Sequence, residues 1–147
     1  MNANEKNANL EVVSNNPLVD AEFGVIHGAA IHAVAGTFPD VLDRTEELLQ
    51  NGRRLVSAPL PPNVPLMRAP FRSVLIEKNT SRKYDTEGLN ALAKARERVQ
   101  TQRKNGKLLS GTDEDFAAID REMLLRALRD VRLCAALDAP ASHSQGS

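Results

Sequence analysis

Residues 10–17 read Leu10-Glu11-Val12-Val13-Ser14-Asn15-Asn16-Pro17, a short β-prone run that stops abruptly in turn residues. That stop decides the fold. Valine side chains suit a packed, pleated surface. Proline has no N–H to give, and its fixed φ suits the first position of a helix. Asn16 is placed to cap such a helix by accepting from a free backbone N–H. The pattern predicts a strand, then a short helix over Pro17–Phe23 that Gly24 ends.

The same alternation continues down the chain. Val25–Val34 is small and apolar, interrupted at His27-Gly28, and predicts a second strand near Ile31–Val34. Gly36-Thr37-Phe38-Pro39-Asp40 opens the next helix, with Thr37 and Asp40 at capping-box spacing and Asp40 complementing the positive helix end. Val41, Leu42, Thr45, Leu48 and Leu49 follow helical spacing, and Asn51-Gly52 closes the helix. Arg53–Ala58 predicts a third strand. Pro59-Leu60-Pro61-Pro62-Asn63-Val64-Pro65 excludes helix and central strand, and reads as a stiff crossing segment reaching Pro70. Phe71–Lys78 predicts a fourth strand, whose continuous Val74-Leu75-Ile76 fits a strand covered on both faces.

Two helices complete the chain. Asp85-Thr86-Glu87 starts one that runs to about Lys104 and stops at Asn105-Gly106, with a thin stripe of Leu89, Leu92, Ala93 and Val99. Thr112 and Asp115 cap the other, from Asp113 to about Leu137. Its expected buried face is Phe116, Ile119, Met123, Ala127, Val131 and Cys134, widened by Leu124 and Leu128. Ile119→Asp is expected to detach that helix. Together these elements imply an α/β domain: a small, mostly parallel sheet of about four strands, helices on both faces, and a C-terminal helical pair. Residues 1–9 are expected to be a flexible N-terminus, 10–138 a single domain, and 139–147 a disordered tail rich in small and polar residues.

Composition narrows the function. Lys+Arg and Asp+Glu are both 19, so the positive excess of a generic nucleic-acid or membrane-surface protein is missing. Tryptophan is absent and one cysteine is present, which disfavours base-stacking platforms, disulfide frameworks and cysteine-built metal sites. The polar start lacks a signal-peptide pattern, no stretch approaches the roughly 20 apolar residues of a membrane span, and the single Cys134 fits a reducing cytoplasm. No dinucleotide fingerprint, phosphate-cradling glycine loop, nucleophile elbow or metal-ligand spacing occurs, so no cofactor and no metal is expected.

In an open parallel sheet, ligands sit beyond the carboxyl ends of the strands. That rule selects Ser14, Asn15, Asn16, Gly36, Thr37 and Ser57 as candidate ligand-binding residues on one rim. Two of these segments lead into helix N-termini, which favour a small carboxylate or phosphate. The bland reading is that Asn16 and Thr37 are caps, while Ser14 and Asn15 form a turn. His32 reads as a satisfied core histidine, His27 as a loop residue able to act as acid or base, and Cys134 as a small core residue. The basic run from Lys78 through Arg82, Lys83, Lys94, Arg96, Arg98, Arg103, Lys104 and Lys107 faces acidic residues Asp113, Glu114, Asp115, Asp120 and Glu122 if the two last helices pack as a hairpin. Otherwise the basic helix offers a surface to an acidic partner or nucleic acid.

Ser14-Asn15-Asn16-Pro17-Leu18-Val19 resembles the opening signature of the GrdX family. Gly36-Thr37-Phe38 before Asp40-Val41-Leu42, then Pro59-Leu60, Pro70-Phe71-Arg72-Ser73-Val74, and Asp115-Phe116 with Ile119-Asp120 fall in similar order, so the resemblance spans Leu10–Leu128. The resemblance leads one to expect a histidine where Ala58 stands, and that departure weakens any role for a histidine at this rim. The resemblance implies context: small cytoplasmic proteins encoded with the glycine, sarcosine and betaine reductase systems of anaerobic bacteria. It supplies no catalytic residues, and the chain has no cysteine pair of the kind a catalytic reductase subunit would use. Three readings follow. One is a non-catalytic accessory protein that binds a small anion (an amino acid or acyl phosphate) or docks on a reductase component. Another is an interaction module or homodimer acting through the C-terminal helices. The third is a small enzyme using His27.

Overall fold

The computed structural model describes residues 9–79, 81, 83–106 and 109–146, with side chains as far as Leu137. Expectations for residues 1–8, Arg82 and Lys107 lie outside the described residues. The elements are β1 (Leu10–Ser14), α1 (Ala21–His27), β2 (Ala30–Ala33), α2 (Phe38–Gln50), β3 (Arg53–Leu55), a 3-10 turn (Val64–Arg68), β4 (Ser73–Lys78), α3 (Thr86–Asn105) and α4 (Asp113–Gly146).

The four strands form one sheet in the order β2-β1-β4-β3. β1 pairs parallel with β2, Val12 opposite Ile31. It pairs antiparallel with β4, Val12 opposite Leu75, and β3 is antiparallel to β4, Leu55 opposite Ile76. The sheet is therefore mixed, which corrects the mostly parallel expectation. The cause lies in the Ser57–Arg72 connection. A parallel neighbour needs a crossover, usually a full helix. Here the prolines permit only a 3-10 turn, so the chain doubles back and β4 enters beside β3 in reverse. β1, β2 and β3 still point the same way, because each is either parallel to β1 or reversed twice through β4.

Alternation of side chains divides the core in two. Val13, Val74 and Ile76 pack with α2 and α3 through Phe38, Leu42, Leu49, Leu92 and Val99. Leu10, Val12 and Leu75 pack on the other face with Phe23 of α1 and Leu124 and Leu128 of α4. Val74-Leu75-Ile76 is fully buried, as its unbroken apolar run requires. Helices cover both faces as expected, but the two C-terminal helices lie on opposite sides of the sheet and not as a hairpin. The acidic start of α4 thus does not neutralise α3. Arg96 instead pairs with Asp43 and Glu46 of α2, and Arg103 donates to the carbonyls of Met67 and Ala69.

Local signals were reliable where their partners were also local. Thr37 and Asp40 form the capping box, and Asn51 with Gly52 (φ 91°) ends α2. Asp85 caps α3 by accepting from Gly88 N–H at 3.0 Å. Three expectations need correction. The first helix begins at Ala21 rather than Pro17, capped by Asp20, and ends at Gly28 (φ 67°) rather than Gly24. Regular pairing in β3 stops at Leu55, because Val56 and Ser57 both donate to the Leu75 carbonyl and bulge the strand. Ala95, not Ala93, lies on the buried stripe of α3.

α4 is rotated from its expected face. Ala117, Asp120, Leu124 and Leu128 face inward, while Ile119 is 42% exposed and Cys134 lies on the surface. The buried stripe contains a carboxylate, which an apolar count passes over. No helix among the described residues is long and apolar enough to cross a membrane.

Candidate functional site

The carboxyl ends of β1, β2 and β3 meet the start of β4 at one rim of the sheet. Ser14 is opposite both Ala33 and Ser73, and Ser57 Oγ accepts from Leu75 N–H at 2.8 Å. The rim therefore gathers the segments that hold Ser14, Asn15, Asn16, Gly36, Thr37 and Ser57. It does not give them one cavity, since each side chain has a different task.

Asn15 is a latch. Its Nδ2 donates to the carbonyls of Gly36 (3.0 Å) and Pro70 (2.8 Å), and its Oδ1 accepts from Arg72 N–H at 2.8 Å. Asn16 faces α4: Nδ2 donates to Ala117 C=O (2.8 Å) and to Asp120 (2.9 Å), while Oδ1 accepts from Leu18 N–H. This explains why Asn16 caps no helix. Ser14 Oγ accepts from Asn16 N–H and shares a hydrogen bond with Ser73 Oγ at 2.7 Å. Thr37 is committed to its capping box with Asp40, whose carboxyl lies below its ordinary value because the Thr37 N–H and hydroxyl bond the charged form.

Two buried charges, both outside the expected set, organise this rim. Asp120 accepts from Ser73 N–H (2.9 Å), Ser73 Oγ–H (2.6 Å) and Asn16 Nδ2–H. Arg72, 5% exposed, donates Nε–H to Pro59 C=O at 3.0 Å and Nη2–H to Ala58 C=O at 2.6 Å. Burial pushes its guanidinium down from the ordinary value, and the charge of Asp120 pulls part of that back. Arg72 makes no ion pair and its Nη1 no hydrogen bond among the described residues. Arginine at the entry to β4 stood within a quoted sequence signature, but nothing local marks it as buried.

Two spaces adjoin Arg72. One is a tight crevice of about 10 Å³ between Phe38, Phe71, Phe116, Ile119 and Met123. The other is a cleft of about 230 Å³ between the Ser57–Pro62 segment and α4, bordered by Ser57, Arg72, Arg126 and Asp130. Ser57 is the sequence-selected residue that lines it; Asn15, Gly36 and Thr37 do not. Arginine side chains and a serine beside a small cleft form a chemically suitable seat for a carboxylate or phosphate.

The histidines lie elsewhere. His32 pairs through Nε2 with buried Glu11, which also bonds Arg53 Nε at 3.3 Å. His27 is at the end of α1 near the start of β2, the opposite end of the sheet from Ser14. Its ring rests on Phe23 (4.3 Å between centroids), and it lines a groove with Leu125, Arg129 and Arg132. Burial first, then the charges of Arg132 and Arg121, lower its pKa, so the neutral ring is favoured. Among the described residues, no group of three or more His, Cys, Asp or Glu is placed to hold a metal ion.

A family model described as GrdX-like protein matches residues 11–129. No curated protein matches the chain, and no solved structure does.

Proposed function

This chain belongs to the GrdX-like family, and from that premise we propose that it is a cytoplasmic, non-catalytic accessory protein of anaerobic glycine and betaine reductase metabolism, holding a small carboxylate or phosphate in the cleft beside Arg72. The observation that carries the ligand reading is a buried guanidinium with no ion-pair partner among the described residues, bordering an open cleft. Taking such a charge out of water is costly unless an anion meets it. Asp120 supplies part of the compensation at a distance; a bound anion supplies the rest. The volume, below the roughly 300 Å³ at which drug-sized pockets begin, fits a ligand of small-metabolite size. Calorimetric titration with glycine, betaine and acetyl phosphate tests this. At least one is expected to bind, and Arg126→Ala and Arg72→Lys are expected to weaken it. Absence of binding, or affinity indifferent to both variants, refutes the reading.

A second reading, a homodimer or a protein-docking module such as a partner for a reductase component, is favoured by the surface of α4. Leu133 and Leu137 are exposed at 56% and 66%, one turn apart, beyond the last buried leucine of that helix. Light scattering tests self-association: a dimer that Leu133→Arg dissociates supports it, and a strict monomer at high concentration removes it.

A further inference from the structure

We propose that the cleft beside Arg72 selects a zwitterion: a small α-amino acid whose carboxylate meets Arg72 and whose ammonium group donates N–H bonds to Asp130. This deepens the anion-binding reading and rests on it. The cleft presents opposite charges on its walls. Arg72 comes from the entry to β4, while Arg126 and Asp130 come from α4, one helical turn apart. Asp130 is the carboxylate among the lining residues, and it forms no ion pair with Arg126 among the described residues. An arginine four residues before an aspartate has the less favourable orientation for such a pair on a helix. Both side chains thus remain available to a ligand.

The same walls argue against the other small anions. A phosphate dianion placed on Arg72 would meet repulsion from Asp130. A quaternary ammonium has no N–H to donate, and its usual seat is a cage of aromatic rings. The lining here contains no aromatic ring; beside Ser57 and Ser73 its remaining surface is Ala58, Leu60, Pro62, Met123, Leu124 and Ala127, which suits an aliphatic group. A primary ammonium satisfies Asp130 directly, and a charge-assisted hydrogen bond discriminates well against an analogue that lacks it.

The test is calorimetry on the intact protein with glycine, alanine, acetate, betaine and inorganic phosphate as probes. Glycine or alanine is expected to bind about tenfold or more tightly than acetate, a ratio in keeping with one charged hydrogen bond. Asp130→Asn is expected to erase that advantage by weakening glycine and alanine while acetate, relieved of the repulsion, binds no more weakly than before, with circular dichroism confirming the fold. Asp130 is on the surface, so this variant should fold. If acetate binds as well as glycine, or Asp130→Asn leaves the ratio intact, the zwitterion assignment is overturned while the anion site stands. Betaine binding as tightly as glycine overturns the N–H requirement. If none of the probes binds, the anion reading itself falls and takes this assignment with it.

Discussion

Asp120→Ala is the substitution that most directly probes how α4 is held to the sheet. The carboxylate is 2% exposed and accepts three hydrogen bonds, from Ser73 N–H, Ser73 Oγ–H and Asn16 Nδ2–H. Bonds to a charged group contribute about 1.5–3 kcal/mol each, but these three do not add. The Ser73 hydroxyl can fall back on Ser14 Oγ at 2.7 Å, and Asn16 Nδ2 keeps the Ala117 carbonyl at 2.8 Å. What remains is an orphaned Ser73 N–H, a weakened Asn16, and a buried Arg72 deprived of its nearest compensating charge. Together these give a loss of about 3–5 kcal/mol, the range for breaking a buried charged network. At about 2–4 °C per kcal/mol for a chain near this length, Tm falls by about 10 °C. Ile119→Asp is the control. Ile119 is already 42% exposed, so its replacement should cost about 1 kcal/mol. Urea unfolding followed by far-UV circular dichroism reads both, since the chain has no tryptophan. A loss under about 1 kcal/mol for Asp120→Ala, or a larger loss for Ile119→Asp, would refute the assigned face of α4.

Other substitutions test separate parts of the fold. Asn15→Ala removes three neutral hydrogen bonds, and is expected to lower unfolding free energy by about 2–3 kcal/mol; Asn15→Asp should be at least as harmful, because a carboxylate would face the Gly36 and Pro70 carbonyls. Gly24→Ala should destabilise despite the helix preference for alanine, since the new Cβ would lie 2.5 Å from the Ala29 carbonyl oxygen; a raised Tm would contradict that contact. Glu11 gives a pH signature. Burial raises its pKa, but the bonds and charges of His32 and Arg53 outweigh burial, so its folded value lies below the ordinary carboxylate value of 4.5. A depressed acid contributes stability above the unfolded pKa and loses it as pH falls through the folded one. The stability gap between the native protein and Glu11→Gln should therefore shrink as pH falls below 4.5; a gap that widens on acidification below that value would reverse the sign.

The elements of this fold were legible where a residue and its partner are neighbours in sequence. Thr37 and Asp40 are three residues apart and their capping box forms as read, and α3 starts at Asp85 as expected, with Asp85 accepting from Gly88 N–H three residues on. Val74-Leu75-Ile76 announced a strand covered on both faces, because only burial on both sides rewards an unbroken apolar run. Long-range partners were illegible. Asn16 looked like a cap, but its amide is taken by Ala117 and Asp120, more than 100 residues away. Asp120 looked like part of an acidic surface, and the helix face was drawn through Ile119 and Cys134 instead. Strand direction failed for a related reason: the prolines after Ser57 signalled a stiff connection but not which side of β3 the chain would return to. The rim was found because the direction of β1, β2 and β3 was right. The buried Arg72 at that rim was missed because no local pattern distinguishes a buried arginine from a solvated one.

The two buried charges at the rim differ in how completely the protein meets them, and that difference separates the scaffold from the proposed site. A carboxylate offers about four acceptor positions. Asp120 fills three of these with donors from β4 and the Asn16 turn, within a closed part of the core. Nothing about it invites a ligand. A guanidinium carries five N–H bonds and always its charge. Arg72 commits two of these to the carbonyls of Ala58 and Pro59, neutral groups that orient it without cancelling its charge. Those carbonyls belong to the segment that walls the cleft. The same contacts that anchor Arg72 therefore shape the space in front of it, so the proline-rich connection which reverses β4 also walls the proposed anion seat.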